Sequence, residues 1–165
     1  MNKIFVALAG SMHALLLFSV ACMLLGASQA QAFLGLFGDS MENVAAKDGL
    51  ITVNTSFLKS GQSKHYQYKE GNTTIRFFLI QDKQGIVRAA LDACEACWRA
   101  DKGYRLKDNT MLCVNCGMKF ALNRIGFIRG GCNPHPIAFR MDGENFTVTT
   151  QELLAGSHYF PENTK

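Results

Sequence analysis

Hydrophobic positions in this chain fall into one long run and then a series of short ones. Residues 4–26 carry no charged side chain, behind the short basic start Met1-Asn2-Lys3. Beyond residue 47 the apolar positions come in brief stretches rich in Val, Ile, Thr, Phe and Tyr, the composition of strands. Such stretches cover 50–58, the His65-Tyr66-Gln67-Tyr68 segment, 73–81, 86–93 and 146–149. Turn signals separate them: a Gly/Ser/Lys cluster before His65, Glu70-Gly71-Asn72, and Lys83-Gln84-Gly85. The spacing predicts a β-meander. Residues 151–154 suit one helical turn with Thr150 as its N-cap. From Cys94 to Pro136 turns dominate and long apolar runs are missing, as in a segment folded around a bound group. The expected fold is mainly β, α+β at most, with a zinc-ribbon or rubredoxin-like cysteine lobe on a short-strand meander.

With 165 residues, 48% of them hydrophobic, the chain can bury one ordinary core. Its formal net charge of +4 is mild and its Lys and Arg are scattered. No basic helix and no basic stripe interleaved with aromatics marks a nucleic-acid surface, so nucleic acid is not an expected partner.

The apolar start changes the picture more. Its basic n-region, apolar run and Ala30-Gln31-Ala32 site form a Sec-type signal peptide, cut after Ala32 so that the mature chain starts at Phe33. Two alternatives stand beside it. The run is long enough to span a bilayer, which takes about 20 residues, so it could remain as an anchor. Ser19-Val20-Ala21-Cys22 loosely follows a lipoprotein box, with Ser19 where Leu is usual. Each of the three places the protein outside the cytoplasm, in the periplasm or tethered at the membrane. The domain plan is 1–32 signal or anchor, 33–47 linker, 48–160 cysteine-rich domain and 161–165 tail.

The candidate chemistry is in the cysteines. Cys22 lies in the signal. Cys94-x-x-Cys97, fifteen residues, Cys113-x-x-Cys116, fifteen residues, Cys132 is the remaining layout. Two residues between thiolates let a tight turn aim both sulfurs at one ion, and two such turns on facing hairpins make a tetrahedral cage. Gly117 suits the left-handed conformation that ends such a turn. Thiol–disulfide redox and plain disulfides, common in exported proteins, are the other readings. The fifth thiol sits in Gly130-Gly131-Cys132-Asn133-Pro134-His135-Pro136, a rigid turn in which Cys132 and His135 are further candidate ligands or ordinary loop residues. His65 and His158 read as surface or strand residues. Trp98 and Tyr104 are expected to pack over the site. Arg99, Lys102 and Arg105 would offset thiolate charge or be solvated. Phe77, Phe78, Phe120 and Phe127 are expected in the core. No serine triad, phosphate loop or carboxylate pair stands out, so an enzymatic role is not favoured.

Asp92-Ala93-Cys94, Cys97, Gly103-Tyr104, Cys113, Cys116-Gly117, Phe120 and Gly130-Gly131-Cys132-Asn133-Pro134 together resemble the membrane iron–sulfur containing FtrD-like family. Asp48-Gly49, His65-Tyr66-Gln67-Tyr68, residues 75–78, Gly156 and Tyr159-Phe160 extend the likeness over 48–160. The resemblance implies an iron–sulfur or other metal centre on Cys94, Cys97, Cys113, Cys116 and Cys132, and a link to iron transport. Many relatives carry a multi-spanning membrane part. Here at most one span is expected, at 4–26, which implies an accessory to membrane transport or redox components rather than a permease. A thiolate cage suits zinc, iron, Cu(I) or an iron–sulfur cluster. The lack of a twin-arginine pair favours a metal acquired after export.

Overall fold

A computed structural model describes residues 41–161. Residues 1–40, where a signal or anchor was expected and where Cys22 and His13 lie, and the last four residues are outside the described part. Ten short strands and one short α-helix make up the described fold, which is mainly β.

Three sheets form it. The central one orders β1 (Glu42–Val44), β3 (Ser63–Glu70), β4 (Thr73–Gln81) and β5 (Val87–Leu91) side by side. β3, β4 and β5 are the expected meander, antiparallel throughout, while β1 joins the edge in parallel with Glu42 opposite Tyr66. The second sheet orders β2 (Leu50–Asn54), β10 (Asn145–Thr149) and β9 (Arg140–Asp142). The third is a meander of β6 (Tyr104–Lys107), β7 (Thr110–Cys113) and β8 (Lys119–Ala121).

The burial pattern explains the layering. β2 and β10 alternate exposed and buried positions, as strands with one wet face do. Phe77, Phe78, Leu79 and Ile80 in β4 are all fully buried, because both faces of the central sheet are covered. Tyr66, Ile75, Phe77, Leu79, Ala89 and Leu91 point to one side and pack with Ile51, Val53, Phe146 and Val148 of the second sheet. Phe77 stacks on Tyr66 and Phe146. The other side carries Phe78, Ile80 and Ala90, which pack with Tyr104 and Met111 of the third sheet, with Leu122 and Ile125, and with Cys94 and Cys113. The cysteine lobe therefore sits on a core of its own.

Turn chemistry sets the hairpins. β3 and β4 join through Gly71-Asn72, with Glu70 opposite Thr73 and Gly71 at φ +56°, the conformation that a two-residue hairpin with glycine first requires. β6 and β7 join through Asp108 and Asn109, both at positive φ, as a type I′ turn requires.

Helix α1 (Thr150–Ala155) replaces the helical turn expected at 151–154, and its cap is Thr149, not Thr150. The Thr149 hydroxyl accepts the Glu152 N–H at 3.1 Å, which β-strand geometry at Thr149 permits. Phe127 also departs from expectation. It is 69% exposed rather than core, because it follows the 3-10 turn Leu122–Arg124 out into solvent, where the Arg88 guanidinium lies 4.8 Å from its ring. Among the described residues no helix is long and apolar enough to cross a membrane.

Candidate metal centre

Three segments bring five thiols together. The first turn leaves β5 and carries Cys94 and Cys97. The second leaves β7, with Cys113 as its last residue, and carries Cys116. The third carries Cys132. Both Cys-x-x-Cys turns close alike: the Trp98 N–H donates to the Cys94 carbonyl at 3.2 Å, and the Gly117 N–H to that of Cys113 at 2.9 Å. Gly117 has φ +76°, the left-handed conformation expected of it. Inside the first turn the Cys97 N–H donates to Cys94 Sγ at 3.3 Å. The glycine turn is tied in by an Ala96 N–H to Gly131 carbonyl bond of 3.1 Å. Beyond it the chain runs along β5, exchanging His135–Ala93 and Leu91–His135 backbone bonds with Pro134 and Pro136 buried.

The thiols fall into two groups that could hold a metal ion, Cys94 with Cys97 and Cys132, and Cys97 with Cys113 and Cys116. In each group the sulfurs lie within 4.8 Å of one another. Cys97 and Cys132 are 3.7 Å apart, too far for a disulfide of about 2.05 Å. That spacing matches the edge of about 3.8 Å of a tetrahedron whose metal–sulfur bonds are about 2.3 Å. All five are free thiols, graded from buried Cys94 and Cys113 through half-buried Cys97 and Cys132 to exposed Cys116. Four or five thiolates with backbone N–H donors close by are also the donor set of iron–sulfur proteins, so these residues fit that chemistry.

The gradient shows in their acidity. The Met118 backbone N–H, with donors from neighbouring thiols, draws Cys116 down to about 7. Burial pushes Cys113 up to about 12. Cys132 also rises to about 12, chiefly because of the hydrogen bond it shares with Cys116. The thiol at the open end ionises before Cys113 and Cys132.

Tyr104 packs over the site, as expected. Its phenol, driven upward first by burial, stays protonated and donates to the Cys132 carbonyl at 2.6 Å. Trp98 lines a cleft beside Cys94, Cys97 and Cys113 together with Arg76 and Lys102. Arg99 lies 5.0 Å over the Trp98 ring, and Arg105 is exposed.

His135 is placed elsewhere. Its Nε2 meets an Arg129 guanidinium nitrogen at 3.0 Å and its Nδ1 meets the Tyr159 hydroxyl at 3.3 Å, and it belongs to neither thiol group. Burial, then Arg129, lowers its pKa and keeps the ring neutral.

A polar layer beneath the cysteines was not legible as such. Asp92, two residues before Cys94, is buried, and its Oδ1 accepts the Tyr104 N–H at 2.6 Å. Gly103, at φ +61°, is the partner this needs, because a Cβ there would overlap the Asp92 carboxylate. Arg76 approaches Asp92 at 3.8 Å and grips Asp101 with two nitrogens. His65, on β3, is buried beside them rather than at the surface. Its Nε2 is 3.9 Å from Asp92 Oδ1, and neither ring nitrogen has a hydrogen-bond partner. Alternation along β3 only groups it with half-buried Gln67; its pairing with Phe78 across the β3–β4 hairpin is what turns it inward.

The sequence model of the family described as membrane iron–sulfur containing protein FtrD-like matches residues 58–160. No curated protein and no solved structure matches.

Proposed function

Since the chain belongs to the FtrD-like family of membrane iron–sulfur containing proteins, we propose that it is an exported thiolate metal protein that passes metal or electrons, with iron foremost, to a membrane transport or redox component. The observation that carries this reading is the convergence of Cys94, Cys97, Cys113, Cys116 and Cys132 from three segments into one cluster with a buried and an open end.

Cys94, Cys97, Cys113, Cys116 and Cys132 would hold the metal. Bound iron, alone or with sulfide, supplies a one-electron couple at this site. The chain does the rest. Phe78, Tyr104 and Met111 exclude water from the inner thiols. Asp92 fixes β6 under them through Tyr104. At neutral pH Cys116 offers a thiolate at the surface, flanked by exposed Val114 and Met118, where a donor or acceptor protein meets the site. Residues 4–26 would deliver the domain across the membrane or hold it there, in the periplasm or on the outer face of the cell membrane.

The test is elemental analysis and an optical spectrum of the full chain from its native compartment, beside a Cys113→Ser, Cys116→Ser double variant. Iron with visible thiolate charge-transfer bands, lost in the variant, is expected. Zinc or copper with a silent spectrum would remove the iron-linked role and leave a thiolate carrier. A variant that keeps its full metal content would sink the site itself.

The low pKa and exposure of Cys116 also favour a second reading, a thiol–disulfide oxidoreductase. It requires rapid alkylation of Cys116 in protein that still carries its native metal content. Protection of Cys116 by the metal removes it.

A further inference from the structure

The two thiol groups are not independent, because Cys97 belongs to both. One tetrahedral ion takes four donors, yet five thiols converge here. Resting on the reading that these cysteines hold metal, we propose that the centre binds two metal ions joined through the Cys97 thiolate. The inner ion lies among Cys94, Cys97 and Cys132, and the outer ion among Cys97, Cys113 and Cys116.

A thiolate sulfur keeps lone pairs after it binds one ion, so it can bridge a second at the same spacing. Cys97 is the sulfur placed for this, within 4.8 Å of all four others, and its thiol is the half-buried link between the buried and exposed ends. Charge argues the same way. Five thiolates around two divalent ions leave one net negative charge. Four thiolates around one ion leave two, with a fifth thiol idle in contact. The smaller residual charge costs less in a partly dry site. Loading balances as five thiols and two divalent ions giving one dinuclear thiolate anion and five protons.

The two positions differ. Each ion has three thiolates and one open coordination position, the arrangement of ions that exchange a ligand. Each position has one buried thiol, Cys94 or Cys113, but only the outer ion is bound through an exposed one, Cys116, and it is the ion that can leave; the inner ion has no exposed ligand and stays.

The test titrates the metal-free full chain with zinc and then cadmium. Native mass spectrometry is expected to saturate at two ions per chain. Cadmium NMR is expected to show two resonances split by coupling through the shared sulfur. Cys116→Ser, an exposed substitution that spares the fold, should lower the stoichiometry to one tightly held ion. Cys97→Ser should abolish the splitting. Saturation at one ion, two uncoupled resonances, or acid-labile sulfide bridging two irons in protein from its native compartment would each overturn the thiolate bridge while leaving metal binding intact. No binding of any ion would overturn both this inference and the proposed function.

Discussion

The face of the central sheet that meets β2 and β10 and the face that meets β6 to β8 are both dry, but they are held by different means. On the first, Tyr66, Phe77 and Phe146 stack and aliphatic side chains fill the rest, so burial alone sustains it. On the second, Phe78 and Ile80 pack against a lobe of three short strands whose core includes Cys94 and Cys113 and whose floor is a buried aspartate beside a histidine with no hydrogen-bond partner. A lobe that small has little apolar surface of its own, and its thiols are placed where a metal could complete it. The comparison teaches that one strand, β4, serves at the same time a self-sufficient core and one that a metal could complete.

The largest effects come from the two neighbouring phenylalanines of β4. Phe77→Ala should cost about 3–5 kcal/mol in urea unfolding and leave metal affinity unchanged. Phe78→Ala should cost about as much and also weaken zinc in a chelator competition, since Phe78 packs with Cys94, Tyr104 and Cys113. Equal metal affinities in the two variants would erase the distinction between the faces.

A smaller effect concerns Asp92. Burial raises its pKa from 3.8 to about 6, against the opposing pull of His65, the Tyr104 N–H and Arg76. A carboxyl whose folded pKa is raised contributes stability that is complete below its unfolded value and lost as pH rises through about 6. Metal-free protein should therefore gain up to about 3 kcal/mol on going from pH 7.5 to 4, relative to Asp92→Asn, which keeps an acceptor for Tyr104. Parallel pH profiles for the two proteins would show that the carboxyl does not titrate against burial.

The smallest effect is expected at Phe127. Despite being aromatic it lies outside both cores, so Phe127→Ala should change stability by only about 0.5 kcal/mol, losing a solvent-exposed contact with Arg88. A loss of 2 kcal/mol or more would place it in the lobe's core after all.

These contrasts bear on how far the sequence could be read. The meander of β3 to β5 and its Gly71-Asn72 turn were legible because strand composition and turn residues agree there. The Cys-x-x-Cys turns and Gly117 were legible because their chemistry is local. Phe127 was misjudged because an aromatic side chain carries no mark of which way a loop will turn it. Thr149 and Thr150 are adjacent equivalents, and only the end of β10 decides which caps α1. The pairing of β1 with β3, the fit of Gly103 over Asp92 and the inward turn of His65 all depend on segments that meet only in the folded chain. His135 carries a ligand's side chain, but Arg129 and Tyr159 engage it, and neither contact leaves a spacing pattern in the sequence.

The double burial of β4 has a consequence for how the protein reaches its fold. A strand with one wet face reports any one-residue slip at once, because every apolar side chain moves into solvent. Residues 77–80 of β4 give no such report: sliding the strand by one position exchanges Phe77 for Phe78 and Leu79 for Ile80, and oil still meets oil on either side. Its alignment must be proofread by other parts. Gly71-Asn72 counts residues at one end, and Arg76, which can reach Asp101 and Asp92 from only one position, checks the count from the cysteine side. The ion pair that borders the candidate metal centre thus doubles as a ratchet against misalignment, and a chain lacking it would be expected to accumulate a slipped hairpin that is compact, dry and unable to assemble its thiols.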